Sequence, residues 1–216
     1  MSLNEILSRI QGELAKKDAV RQEIQTAMWK CTRLSKTAIF HMHKEEFEEA
    51  KRKLAEAKEI LDNLHNMTVN FSGLMFMGAV DSAFEEYAEA QIFFRLIKEG
   101  RFISYDEINV PVAPYVLGLA DVIGELRRQT LDYLRRNKIK KAIENLELME
   151  IIYAELVNLD EANILVHELR RKCDVARHVL EATRGDVTIE ARRSQLENSI
   201  KDLRRRLEVK RKNEPI

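Results

Sequence analysis

No proline occurs before Pro111, and the 216 residues hold only 3 prolines and 7 glycines. Proline removes a helical hydrogen bond, and a glycine costs about 1 kcal/mol against alanine inside a helix. Their scarcity leaves the first half of the chain free to run as nearly continuous helix. Apolar residues recur at threes and fours, and no stretch alternates as a strand would. The spacing predicts helices over about Leu3–His43, Glu45–His65 and Val69–Lys98, with Gly100 at the C-terminal cap. The second has an apolar side of Phe47, Ala50, Leu54, Ala57, Leu61 and Leu64, and the third a stripe of Phe76, Val80, Ala83, Tyr87, Ala90, Phe94 and Ile97. Ser104 to Glu107 predicts a capped turn of helix. Pro111 and Pro114 suit the first turn of a helix reaching about Arg136. Further helices are expected at Ile139–Val157 and Asp160–Ala182. A break is expected at Arg184-Gly185-Asp186, followed by an additional C-terminal helix from about 187 to Arg206. The result is an all-α single domain spanning 1–216. Apolar stripes on helices this long exceed what one subunit can cover, so an oligomer is expected.

Lys and Arg balance Asp and Glu at 36 each. Zero net charge argues against coating duplex DNA by charge alone and leaves a local basic surface open. Cys31 and Cys173 lack metal-ligand spacing and read as reduced thiols, which suits a cytoplasmic protein. The N-terminus is amphipathic and charged, unlike a signal peptide, and no apolar run is long enough to span a bilayer, so no membrane partner is expected.

Phosphate-binding glycine loops, serine-hydrolase elbows and HExxH zinc motifs are absent. His41, His43, His65, His167 and His178 form no evident metal set. Carboxylates remain. Glu86 and Glu89 are three apart, and Asp121 and Glu125 are four apart, so each pair shares a helical face. Oxygen clusters of this type suit Mg²⁺ or Mn²⁺. Most acid pairs at such spacing are solvated surface, but Glu86 and Glu89 adjoin the apolar Ala83/Ala90 stripe. Near Asp121 and Glu125, Gly124 is an expensive residue that close approach of another helix or a substrate backbone would explain. Arg127 and Arg128 follow at once, suited to phosphate. Trp29 reads as a core or interface anchor rather than a base-stacking platform.

The segment Tyr115–Arg128, YVLGLADVIGELRR, resembles the "YLxGxxDxxGELxR" segment of the translin/Trax family, and Glu85–Ala90 resembles the "EYxEA" segment of its Trax branch. The stretch from Arg33 to Phe40 resembles the family's first helix, and Arg177–Gly185 its late helix. The resemblance spans most of the chain. It implies a translin-type bundle of seven or more helices, assembly into a closed homo-octameric shell, and RNA binding inside it. For the Trax branch it implies Mg²⁺-dependent endoribonuclease activity, with Glu86, Glu89, Asp121 and Glu125 as catalytic and metal-binding acids. Arg21, Arg33, Lys36, Arg95, Arg127 and Arg128 are candidates for RNA backbone contacts. The expected ligand is single-stranded or short duplex RNA, with single-stranded DNA as another. The alternative is a non-catalytic, translin-like single-stranded nucleic-acid-binding protein. A third reading, a structural interaction protein, leaves the stripes to partner helices.

Overall fold

The computed structural model describes residues 2–70, 77–159 and 165–213, and among these every regular element is helical. The seven described helices are α1 (Leu3–His43), α2 (Phe47–Asn70), α3 (Met77–Glu99), α4 (Tyr105–Ile108), α5 (Val112–Arg135), α6 (Ile139–Val157) and α7 (Leu169–Asn213). They fall into two compact units, residues 1–122 with 161–169 and residues 123–160 with 170–216. No described helix is long and apolar enough to cross a membrane.

In the first unit α1, α2 and α3 pack on one another. A reciprocal capping box starts α1: the Ser2 hydroxyl accepts from the Glu5 amide, and the Glu5 carboxylate accepts from the Ser2 amide. Two amides that a helix start leaves unpaired are thereby satisfied. The inner side of α1 buries Ile24, Cys31, Leu34, Ala38, Ile39 and Met42, and α2 buries the predicted row Ala50, Leu54, Ala57, Leu61 and Leu64. The small Cys31 thiol lies 3.9 Å from carbonyl oxygens of both Ala57 and Ala83, so α1 runs close to both neighbours. Burial pushes that thiol's pKa up to about 12.

Helix α3 is apolar on more than one face. Of the predicted stripe, Val80, Ala83, Tyr87, Ala90 and Phe94 are buried and Ile97 is half-buried, and Phe84, Ala88, Ile92, Phe93 and Leu96 are buried as well. A helix apolar all round belongs in the middle of its unit. Each large side chain there contributes about 1.5–3 kcal/mol by leaving water. Gly100 ends α3 with φ +66°, a conformation that glycine adopts without steric cost. A second capping box, Ser104 with Glu107, builds α4. Tyr115 on α5 donates its hydroxyl to the Ile103 carbonyl at 2.5 Å and pins the connection.

In the second unit a buried amide pair, Asn145 donating to Gln129 at 3.0 Å, ties α6 to the end of α5. Arg184 on α7 pairs with Glu150 on α6 at 2.6 Å.

Two boundaries differ from expectation. The stretch Arg184-Gly185-Asp186 does not break the chain: α7 runs unbroken from Leu169 to Asn213, and no separate helix begins near 187. One glycine costs too little to stop a helix that is anchored on both sides of it. Thr183 and Arg184 make side-chain contacts before it, Asp186 after it, and Thr188 bonds back across it to the Arg184 carbonyl. The helix also starts at Leu169 rather than near 160. Residues 160–164, like Phe76 of the predicted α3 stripe, lie outside the described residues.

Candidate nucleic-acid and metal site

The site starts from a glycine. A Cβ on Gly118 would lie 2.6 Å from the Glu85 carbonyl oxygen, 2.8 Å from the Glu89 amide nitrogen and 3.0 Å from the Ala88 Cβ. Two of these atoms are backbone and cannot swing aside. Only glycine lets α5 pass this close to residues 85–89 of α3, where Glu86 and Glu89 stand. Asp121 follows Gly118 by three residues, just under one helical turn. Gly124, which the sequence suggested as the point of close approach, has no described heavy atom within 4 Å of a would-be Cβ. The close contact is six residues earlier, at Gly118.

Glu86 is half-buried, Glu89 is only 9% exposed, and Asp121 is half-buried. Lys36 reaches over from α1, its Nζ 2.9 Å from Glu86 Oε1. The Glu86 hydrogen bond raises the Lys36 pKa, partial burial opposes this, and the charges of Glu86, Glu89 and Asp121 raise it further. Three of the four predicted acids therefore act on one ammonium group. Glu125 lies one turn beyond Asp121 on the same helix and is half-buried, with Arg128 3.8 Å from its carboxylate. Among the described residues no three Asp, Glu, His or Cys side chains are gathered tightly enough to hold a metal ion. The donor chemistry nevertheless fits a hard divalent cation. The donors are carboxylates, three of which, Glu86, Glu89 and Asp121, already act on one cation, the Lys36 ammonium.

The predicted basic residues divide into four kinds. Lys36 and Arg33 share one face of α1, with the Arg33 guanidinium 4.9 Å from the centre of the Trp29 ring. Arg21 is engaged by Asp18, and Arg95 by Glu99. Arg127 is built into the second unit, donating to Thr183 at 2.7 Å and pairing with Asp186 at 3.2 Å. Arg128 is exposed beside Glu125.

One feature of the site, an aromatic groove on α1, is not read from the sequence, where Trp29 is expected to be a core or interface anchor rather than a base-stacking platform. Trp29 is not in the core of this chain but 64% exposed, and Phe40 is 46% exposed. With Thr32, Arg33, Lys36 and Thr37 they line a shallow groove along α1. The signal was present in the spacing: Trp29, Arg33, Lys36 and Phe40 stand four, three and four apart, which is one helical face. The groove combines aromatic faces and cations, as single-stranded nucleic-acid surfaces do, and its Lys36 pairs with Glu86.

These features define an all-helical protein with acids from two helices gathered at a lysine beside an aromatic, basic groove. The chain belongs to the Translin family, whose model matches residues 19–182. An uncharacterized protein of Methanocaldococcus jannaschii is 34% identical over 176 residues, covering 81% of this chain and 78% of that one. Among solved structures, that of apo-NeC3PO is similar with a TM-score of 0.78 and 25% identity, covering 88% of this chain and 98% of the other. The structure of an AfC3PO–duplex RNA complex is similar with a TM-score of 0.75 and 29% identity, covering 86% and 96%.

Proposed function

We propose that this protein is an RNA-binding, Mg²⁺- or Mn²⁺-dependent endoribonuclease of the catalytic, Trax-like kind, acting in the cytoplasm inside a closed oligomer, an octamer. The observation that carries the reading is the convergence of Glu86, Glu89 and Asp121 on Lys36 at the closest approach of α5 to α3. The similarity to a C3PO solved with duplex RNA supports an RNA ligand.

Glu86, Glu89, Asp121 and Glu125 would hold the cation. A bound divalent ion supplies Lewis-acid stabilisation and a more acidic water. Glu86 must turn from Lys36 to serve as a ligand, and that turn frees the ammonium for a phosphate oxygen. Arg33 and Lys36 orient the RNA backbone, and Trp29 and Phe40 offer faces for unpaired bases. The half-buried acids sit where fewer waters compete, which strengthens their hold on a cation.

A second reading, a non-catalytic nucleic-acid binder that also takes single-stranded DNA, is favoured by one observation: the described acids are not preassembled as a metal cage. Labelled RNA incubated with Mg²⁺, with and without EDTA, separates the two. Cleavage that EDTA abolishes supports the nuclease. Binding without cleavage supports the binder. No binding even at low salt, where phosphate contacts are strongest, overturns both.

A further inference from the structure

The family match covers residues 19–182, and an exposed apolar stripe lies beyond each end of it. On α1 the stripe is Leu3, Leu7, Ile10 and Leu14, and on α7 it is Leu196, Ile200, Leu203 and Leu207. All eight side chains are between 44% and 72% exposed. Both stripes have the same four-three-four spacing, which is the a/d seam of two coiled-coil heptads. Laid parallel, they match layer for layer: Leu3 with Leu196, Leu7 with Ile200, Ile10 with Leu203, Leu14 with Leu207.

The charges beside the seams choose the partner. Glu13 and Asp18 flank the α1 seam at its g and e positions, so α1 against α1 in parallel brings acid to acid. Arg204 and Arg206 flank the α7 seam, and between Arg192 and Lys212 the sequence has nine basic against three acidic residues. Two α7 ends therefore repel. The mixed parallel pair instead places Asp18 opposite Arg206. Asp18 now pairs with Arg21 at an exposed position, a bond that costs little to exchange. An antiparallel mixed pair would set Asp18 against Glu190. Opposite flanks that reject like pairing are how such seams specify partners.

We propose that the N-terminal turns of α1 in one copy of this chain pair in parallel with the C-terminal turns of α7 in a second copy. Each chain offers one seam of each kind, so the contact can close reciprocally between two copies or continue head-to-tail around a ring.

Cysteine pairs at one layer test this. Ile10→Cys and Leu203→Cys chains, each with Cys173→Ser and a different affinity tag, are expressed separately and together, then mildly oxidised. Because both positions are exposed, the fold should survive, and circular dichroism checks it. The expected result is a disulfide-linked species carrying both tags, at least about tenfold more abundant than homodimers of either chain alone. Asp18→Arg should reduce its yield, and adding Arg206→Asp should restore it. Equal homodimer yield, no mixed product, or failure of the charge swap to restore it would overturn the proposal. So would a doubly substituted chain that closes a loop within itself instead of linking copies.

Discussion

The two halves of α5 do different work. In the first half Gly118 meets the α3 backbone, and Asp121 faces a lysine shared with two other acids. In the second half Gly124 meets nothing described, and Arg127 is spent on Thr183 and Asp186. One helix thus holds a position where a methyl group cannot fit and, six residues on, one where it can. The contrast teaches that a motif's glycines are not equivalent: one builds the site, the other leaves a surface open.

The largest expected effect is at Gly118. Gly118→Ala should cost about 1–3 kcal/mol, and Gly118→Val more, because the added atoms strike backbone. Gly124→Ala should be neutral or stabilise by up to about 1 kcal/mol through helix propensity. Urea unfolding at matched protein concentration measures both, and equal effects at the two sites would erase the comparison.

Next come the arginines. Arg127→Ala should cost about 1–2 kcal/mol by removing a charged hydrogen bond to a buried threonine. Arg128→Ala should change stability by less than about 0.5 kcal/mol. Filter binding over a salt series then asks whether Arg128→Ala alone weakens RNA affinity for all sequences alike, as a phosphate contact would.

The smallest effect is at Lys36. Its raised pKa means that the pairing stabilises fully below the ordinary lysine range and is lost as pH rises through the folded value. Lys36 is mostly exposed, so Lys36→Met should cost a few tenths of a kcal/mol at neutral pH. That difference should fade as pH rises through the folded pKa, which lies above the ordinary lysine value. Thermal melts of both proteins across pH check the sign.

Helix existence was legible because caps, prolines and period are local. Ser104 with Glu107, Pro111, and the α2 row from Ala50 to Leu64 all stand where they were read. Gly185 misled because a glycine's local preference is small beside anchoring contacts made 34, 56 and 59 residues away, by Arg184 to Glu150, Thr183 to Arg127 and Asp186 to Arg127. The acids were legible as pairs within α3 and within α5. What joins α3 to α5 was not, because periodicity says which face a residue occupies and not which helix covers it. The pairing of Lys36 with Glu86 spans fifty residues, and the exposure of Trp29 depends on which side of α1 its neighbours cover.

The central claim is that acids on α3 and α5 hold a cation that cuts RNA. The direct test is Mg²⁺-dependent cleavage of labelled RNA by Glu89→Gln and Asp121→Asn, with RNA affinity and melting measured on the same samples. Removing charge while keeping shape should abolish or greatly reduce cleavage, leave binding intact or tighter, and leave the fold standing. Full cleavage by both variants would contradict the account.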